Sequence, residues 1–325
     1  MFSIVIPLYN KAHTIVNTLQ TVLQQKYTEF EVVIVNDGSS DNGVQIIQEH
    51  FSDNRIRIVN QANQGVSVAR NRGVTEAVHE WIAFLDADDE LLPTYLTKMK
   101  EAIAQFPNAG MICCAGIVRN ADGSELIRYS KRFNNNIVSI NFFENPYFFS
   151  NSSSTVIRKS DFYKTSGFPA GMKINEDLVF FCSLALITQV VYCPEPLSIY
   201  VRGVEGQATS MHKNIYRYVI DRTNMVFDFW WNNGKPNKLF LVFTKYELRN
   251  EIIIYLRQHN HNAVVYLKEH LDKRLLACFS SLEQFLFFTP LVHPLTKLWI
   301  YLTKIIWKSK GYPVMQYKPV SNSVK

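Results

Sequence analysis

Three carboxylates crowd the end of a short apolar run at Ile82-Ala83-Phe84-Leu85-Asp86-Ala87-Asp88-Asp89. A turn tolerates one such acid, but Asp86, Asp88 and Asp89 together repel one another unless water or a cation screens them. The crowding points to a metal site; the competing reading is a helix-start motif ahead of Pro93. Two other polar groups have suggestive spacing. Asn36-Asp37-Gly38-Ser39-Ser40-Asp41 follows a second apolar run, where turn chemistry and a helix cap would be enough to explain it. Asn175-Glu176-Asp177 stands directly ahead of a helical run that continues to about Ile187, where the acidic pair either caps that helix or serves chemistry.

The elements that must position these groups alternate. Phe2–Leu8, Glu31–Val35, Ile56–Val59 and Trp81–Leu85 are short and β-rich, and the segments between them have helical spacing. In the first such segment Asn10 is placed to cap a helix whose buried stripe is Ile15, Leu19, Val22 and Leu23. The pattern predicts an α/β fold, a Rossmann-like sheet, mostly parallel, with helices on both faces and ligands beyond the carboxyl ends of its strands. The ends Pro7-Leu8-Tyr9-Asn10, Asn36 to Asp41 and Asp86 to Asp89 would then converge on one crevice. From about 106 to 210, strands are interleaved with polar segments such as Asn134-Asn135-Asn136 and Asn151-Ser152-Ser153-Ser154, which suit a substrate-facing surface better than a core.

With 325 residues, 47% of them hydrophobic, the chain can bury a large core. Its formal net charge of +6 favours anionic partners such as nucleotide phosphates or an anionic membrane without requiring nucleic acid, which is not an expected partner. Cys113, Cys114, Cys182, Cys193 and Cys278 make an odd number without a Cys-x-x-Cys pair, as in a reducing cytoplasm. The run Met1 to Pro7 lacks a basic leader and reads as a first strand rather than a signal peptide.

The motifs together resemble the family 2 glycosyltransferases of the GT-A fold. The resemblance rests, in order, on Ser3 to Asn10, Val35 to Asp41, Asn63-Gln64-Gly65 with Ala69-Arg70-Asn71-Arg72-Gly73, Asp86-Ala87-Asp88-Asp89, and Asn175-Glu176-Asp177. It implies an inverting, metal-dependent transfer of a hexose or N-acetylhexosamine from a UDP-sugar to a hydroxyl of a growing surface glycan, whether lipooligosaccharide, capsule or exopolysaccharide. It also implies Mg²⁺ or Mn²⁺, hard ions that prefer carboxylate and phosphate oxygens. Asp88 would be the direct metal ligand, with Asp86 toward the ribose and metal-bound water, Ala87 between them, and Asp89 supporting the loop or capping the next helix. Asp37 would accept a hydrogen bond from uracil, Pro7 and Tyr9 would flank the base with Asn10 nearby, and Arg70 would lie near the nucleotide. Asp177 matches the family's general base, with Glu176 as its alternative. A weaker match at Tyr200-Val201-Arg202 and Thr209 to His212 resembles the segment that closes over the donor.

A phosphate-cradling nucleotidyltransferase is disfavoured because Pro7-Leu8-Tyr9-Asn10-Lys11 is not a Gly-rich loop. A catalytically inactive scaffold of a glycan-assembly complex is the alternative from another class. The expected domains are a catalytic one over 1–212, divided into a nucleotide-sugar half (1–105) and an acceptor half (106–212), and a mostly helical extension over 213–325. That extension holds long helical runs at Asn214–Trp231, Lys238–Gln258 and Ala263–Leu276.

Between Phe285 and Lys308, Phe288, Leu291, Val292, Leu295, Leu298, Trp299, Leu302, Ile305 and Ile306 follow helical spacing, and Lys297, Lys304 and Lys308 lie about half a turn away. This is the pattern of a helix lying on an anionic membrane, although docking on the catalytic domain or on a second subunit would use it too. A cytoplasmic protein peripheral to the inner membrane, acting on a glycan or lipid-linked saccharide acceptor and free to form a homo-oligomer, is the expectation. The tail Ser321 to Lys325 is expected to fray.

Overall fold

The computed structural model describes residues 1–134, 136–149, 151–205, 215–258, 260–289, 293–313 and 316–320, with backbone only at 215, 287, 293, 294, 296, 297 and 300. The chain divides into two compact units. One comprises 1–142, 146–211 and 315–325, and the other 143–145 and 212–314.

In the first unit the order is β1 (Phe2–Leu8), α1 (Ile15–Leu23), β2 (Phe30–Asp37), α2 (Gly43–His50), β3 (Ile56–Gln61), α3 (Val66–Glu76), β4 (Trp81–Phe84), β5 (Glu90–Leu91) and α4 (Tyr95–Gln105). There follow β6 (Ala109–Arg119), β7 (Glu125–Tyr129), β8 (Val138–Ile140), α5 (Pro146–Phe149), β9 (Thr155–Arg158), α6 (Lys159–Phe162), α7 (Glu176–Ile187) and β10 (Gln189–Val201). Strands β4, β1, β2 and β3 are neighbours in that order and parallel. Beyond β4 the sheet turns mixed, with β9 antiparallel to both β4 and β6, and β10 parallel to β6.

Alternation along β1 explains why helices cover both faces. Phe2, Ile4, Ile6 and Leu8 join Ile15, Leu19, Val22, Leu96 and Met99 in one buried cluster. Val5 points the other way, against α3, and on that face Phe84 meets the rings of Phe168 and Phe180 at 5.1 and 6.2 Å. All five cysteines are free thiols, and burial raises Cys113 to about 12 and Cys193 to about 11, so these two pack as small apolar groups.

From β1 the chain moves outward through β2 and β3, then returns to place β4 on the opposite side of β1. The reversal creates a crevice beyond the carboxyl ends of β1 and β4, the usual ligand position in such sheets. Pairing of β4 with β1 stops at Phe84 opposite Val5, and Leu85 adds one last hydrogen bond to the Val5 carbonyl. Pro7, which has no N–H to offer, lies just beyond this point.

The second unit contains α8 (Ile215–Asn232), α9 (Leu239–Arg257), α10 (His261–His270), α11 (Lys273–Ala277), α12 (Ser281–Phe288) and α13 (His293–Ser309). Arg222 of α8 and Glu247 of α9, both buried, pair at 2.7 Å. The last strand, β11 (Gln316–Pro319), pairs with β7 in the first unit.

Four expectations need correction. Asn10 does not cap α1, which starts at Ile15 after Thr14; Asn10 instead takes a left-handed φ of +52° to turn the chain out of β1. The run 263–276 is two helices, broken where the Asp272 side chain accepts the N–H of Arg274 and starts α11. The run 285–308 is likewise two, since α12 ends at Phe288 just before Pro290 and α13 starts at His293. Finally, Ser152, Ser153 and Ser154 are buried rather than substrate-facing, in a single 3₁₀ turn that Asn151 caps by accepting the Ser153 N–H.

Helix α3 lies so close to β1 that a Cβ on Gly73 would fall 2.2 Å from Val5 Cγ1. Gly73→Val should therefore destabilise the protein by about 1–3 kcal/mol through overpacking, measured as a lower urea midpoint with an unchanged slope. A midpoint equal to wild type would contradict this packing.

Candidate active site

Construction of the site begins at the end of β2. Asp37 is 3% exposed and accepts hydrogen bonds from Gln61 Nε2 (2.8 Å), Gln64 N (2.9 Å) and Gly65 N (2.8 Å). The next residue, Gly38, has φ +67°, and a Cβ there would lie 2.8 Å from Asn63 N, so the turn requires glycine. Asp37 thus holds the loop from which α3 starts. A carboxylate has about four lone-pair positions, so roughly one remains for an outside donor. Ser39, Ser40 and Asp41 join the two strand-end loops: Asn10 N donates to Ser39 Oγ, Ser40 N to Asn10 Oδ1, and Ala12 N to Asp41 Oδ2. For these three the turn reading is sufficient. Tyr9 is 49% exposed at the rim and Pro7 is half-buried beside it.

On α3, Arg70 is almost fully buried. Its guanidinium donates to Asp86 Oδ1 at 2.7 Å, 16 residues further along the chain, and to Glu176 Oε1 at 2.9 Å, 106 residues further along. Its carbon lies 5.3 Å from the centre of the Phe168 ring, and its Nε has no hydrogen-bond partner. Burial works to lower the Arg70 pKa, but Asp86 and Glu176 more than offset it, so the group stays charged. Arg70 thus bridges the Asp86 and Glu176 motifs from a buried position.

The three crowded aspartates are separated by their partners. Asp86 is on Arg70. Asp88 accepts from Lys11 Nζ at 2.8 Å, and the same ammonium donates to the Glu205 carbonyl at 3.0 Å. Asp89 is buried, accepting from Ser153 Oγ at 2.5 Å and Val201 N at 3.1 Å. Burial, with Asp86 and Asp88 close by, pushes the Asp89 pKa well up. Ala87 contributes its carbonyl, which accepts from Thr14 Oγ1 (2.8 Å) and Thr18 Oγ1 (3.0 Å). Of the two roles open to Asp89, loop support is the one observed; α4 starts after Thr94 instead.

The crowding is thus screened without a metal, and among the described residues no three His, Cys, Asp or Glu are grouped to hold one. A cation shared with substrate needs no such group, since Mg²⁺ commonly takes only one or two carboxylates and completes its shell with phosphate and water. Asp88 at the crevice and the partly exposed Asp86 fit such a donor set.

Asp177 lies in the first turn of α7, just after Asn175, whose φ of +65° turns the chain into the helix without a side-chain cap. Glu176 is held by Arg70, which leaves Asp177 as the carboxylate of the pair better placed to take a proton. Its Oδ1 accepts the Leu178 N–H at 2.7 Å. Burial and the neighbouring Glu176 raise the Asp177 pKa to about 6, against a lowering by Arg70. Because that value exceeds the ordinary 3.8, the stability tied to the Asp177 proton is complete below about pH 4 and lost as pH rises through about 6.

Lys11, Ser153, Thr14 and Thr18 were not singled out as site residues. Lys11 sat in sight, adjoining the Tyr9-Asn10 motif, but Ser153 reaches Asp89 across 64 residues and left no local signal. Arg202 is exposed, and its N–H donates to the Arg119 carbonyl. Thr209 to His212 lie outside the described residues.

Activity that depends on Asp177 as a base should fall below about pH 6. Glu176→Gln, which removes a group that raises this pKa, should move that acid limb to lower pH, and a pH–rate profile of both proteins checks it. An upward shift would overturn this electrostatic assignment.

The S. aureus TarS 1-349 structure in complex with UDP-GlcNAc superposes with a TM-score of 0.68 at 17% identity, over 85% of this chain and 83% of that one. The E. coli K12 protein named uncharacterized glycosyltransferase YibD is 43% identical over 104 residues, 31% of this chain and 30% of its own length. The poly-beta-1,6-N-acetyl-D-glucosamine synthase of Staphylococcus epidermidis is 35% identical over 122 residues, 36% of this chain and 29% of its length. The matches thus cover under a third of these two relatives. The model of Glycosyl transferase family 2 matches residues 3–175, more than half of the 325-residue chain, and the chain belongs to that family.

Proposed function

We propose that this chain transfers a hexose or N-acetylhexosamine from a UDP-sugar to a hydroxyl of a growing surface glycan, with inversion at the anomeric carbon. The observation that carries the reading is the bridge from Asp86 through the buried Arg70 to Glu176, which holds the crevice at β4 to the start of α7, where the adjoining Asp177 has a pKa raised to about 6. A base of that kind is ionised at neutral pH yet basic enough to take a proton from an attacking hydroxyl.

In this reading Asp177 accepts the proton as the acceptor oxygen attacks the anomeric carbon, the bond to the diphosphate breaks, and the nucleoside diphosphate leaves. One inline displacement suffices, and no nucleophilic side chain is required. Arg70 keeps Glu176 and Asp86 in place through its two hydrogen bonds. Asp88 and Asp86 would hold Mg²⁺ or Mn²⁺, which offsets the charge developing on the leaving diphosphate. Asp37 and the rim residues Pro7, Tyr9 and Asn10 would receive the nucleoside. The UDP-GlcNAc in the TarS complex and the name of the S. epidermidis relative support a UDP-linked donor, with N-acetylglucosamine the first to test.

Calorimetric titration of UDP, with GDP and CMP as controls and with and without Mn²⁺, tests the donor site. Metal-dependent binding of UDP alone, abolished in Asp88→Ala, is the expected result; no nucleotide binding under any condition would sink the reading. Asp177→Asn should keep UDP binding while turnover falls by about 10²–10⁴-fold, the usual contribution of a general base. Lys11 occupies Asp88 through its ion pair, so Lys11→Met should tighten Mn²⁺ binding in a titration without nucleotide. Weaker Mn²⁺ binding in that variant would show that the ammonium does not compete for Asp88.

A further inference from the structure

Helix α13 has three different sides. Trp299, Thr303 and Trp307 form the docked row: Trp307 is buried, stacked on Tyr246 at 4.5 Å, and the Arg249 guanidinium lies 4.3 Å from the Trp299 ring, both partners being on α9. The apolar stripe expected to face one way is therefore divided, because Trp299 turns inward while Leu295, Leu298, Leu302, Ile305 and Ile306 are 47–58% exposed. Tyr301 is exposed as well, and α12 exposes Leu282 and Phe285. Lys304 and Lys308 are exposed on the third side. At 100° per residue the docked row, the lysines and the exposed apolar row lie about a third of a turn apart.

We infer that the exposed face of α13 is a docking surface for a bilayer with anionic headgroups. Large apolar side chains over about three turns of one helix exceed the scattered exposure of an ordinary surface. Charge selects the occupant. Along α13 and just after it the chain carries four lysines (297, 304, 308 and 310) and no Asp or Glu. In a two-fold dimer through this face each patch would meet its own copy, bringing lysines together without a carboxylate on α13 to pair them. A phospholipid surface instead receives leucine and isoleucine side chains at the acyl boundary while the lysines reach the phosphates.

The helix lies on the bilayer rather than crossing it. Seventeen residues span about 25 Å, short of the roughly 30 Å hydrocarbon layer. Among the described residues no helix is long and apolar enough to cross. The inference is independent of the donor and base assignments, and its test uses no turnover.

Cosedimentation of the full chain with phosphatidylcholine vesicles, with and without phosphatidylglycerol, tests it alongside light scattering for oligomeric state. Partition should rise by about tenfold or more with the anionic lipid and fall with added salt. Ile305→Glu and the pair Lys304→Glu with Lys308→Glu should each abolish that rise while melting as wild type, since all three positions are exposed. Equal sedimentation of wild type and variants would overturn the proposal. So would absence of vesicle binding, whether the protein is monomeric or forms a dimer that Ile305→Glu dissociates.

Discussion

The Arg70 guanidinium is the constraint on which the site depends. It is buried at the meeting of α3, the loop after β4 and the start of α7, and its hydrogen bonds to Asp86 and Glu176 hold three separate parts of the chain to one geometry. A guanidinium buried that deeply is costly unless carboxylates pair with it, and these two supply the partners. Asp37, by gripping Gln64 and Gly65, sets where α3 begins and hence where Arg70 reaches. Gly73 lets the same helix settle on Val5. Sheet packing and site chemistry are therefore joined through one helix.

The carboxylates around this arginine differ in behaviour because their surroundings differ. Asp89, sealed in with Ser153, is held toward its neutral form and supports the loop. Asp86 and Asp88 each face a cation, one buried and one at the crevice. Asp177, with neither cation in direct contact, is left with a raised pKa. The same residue type thus provides a strut, two carboxylates each paired with a cation, and one carboxyl with a raised pKa. Burial and distance to positive charge decide which is which.

The α/β alternation was legible because a strand has period two and a helix 3.6, and both periods survive in the residues of β1, α1, β2 and β4. Asp-x-Asp after β4 and the acidic pair ahead of α7 stood out because charged groups rarely follow apolar runs without a reason. The long helical stretches were legible in type but not in extent, since breaks at Asp272 and before α13 depend on one or two residues inside a continuing apolar pattern. Asn10 shows the same limit. Its side chain suits a cap, but its backbone is used for a left-handed turn.

By itself the sequence determined the family, the order of its elements and the types of residue at each strand end, because these are local patterns that a single chain displays. Only the tertiary structure decided the partners: Arg70 with Glu176 across 106 residues, Lys11 with Asp88 across 77, and Ser153 with Asp89 across 64. It also decided which side of α13 is covered, turning Trp299 inward and leaving Leu298, Leu302 and Ile305 open. Periodicity shows that a helix has an apolar side. Which neighbour covers it is set by the packing of helices far apart in sequence, and charge pairing over such separations has no local signature to read.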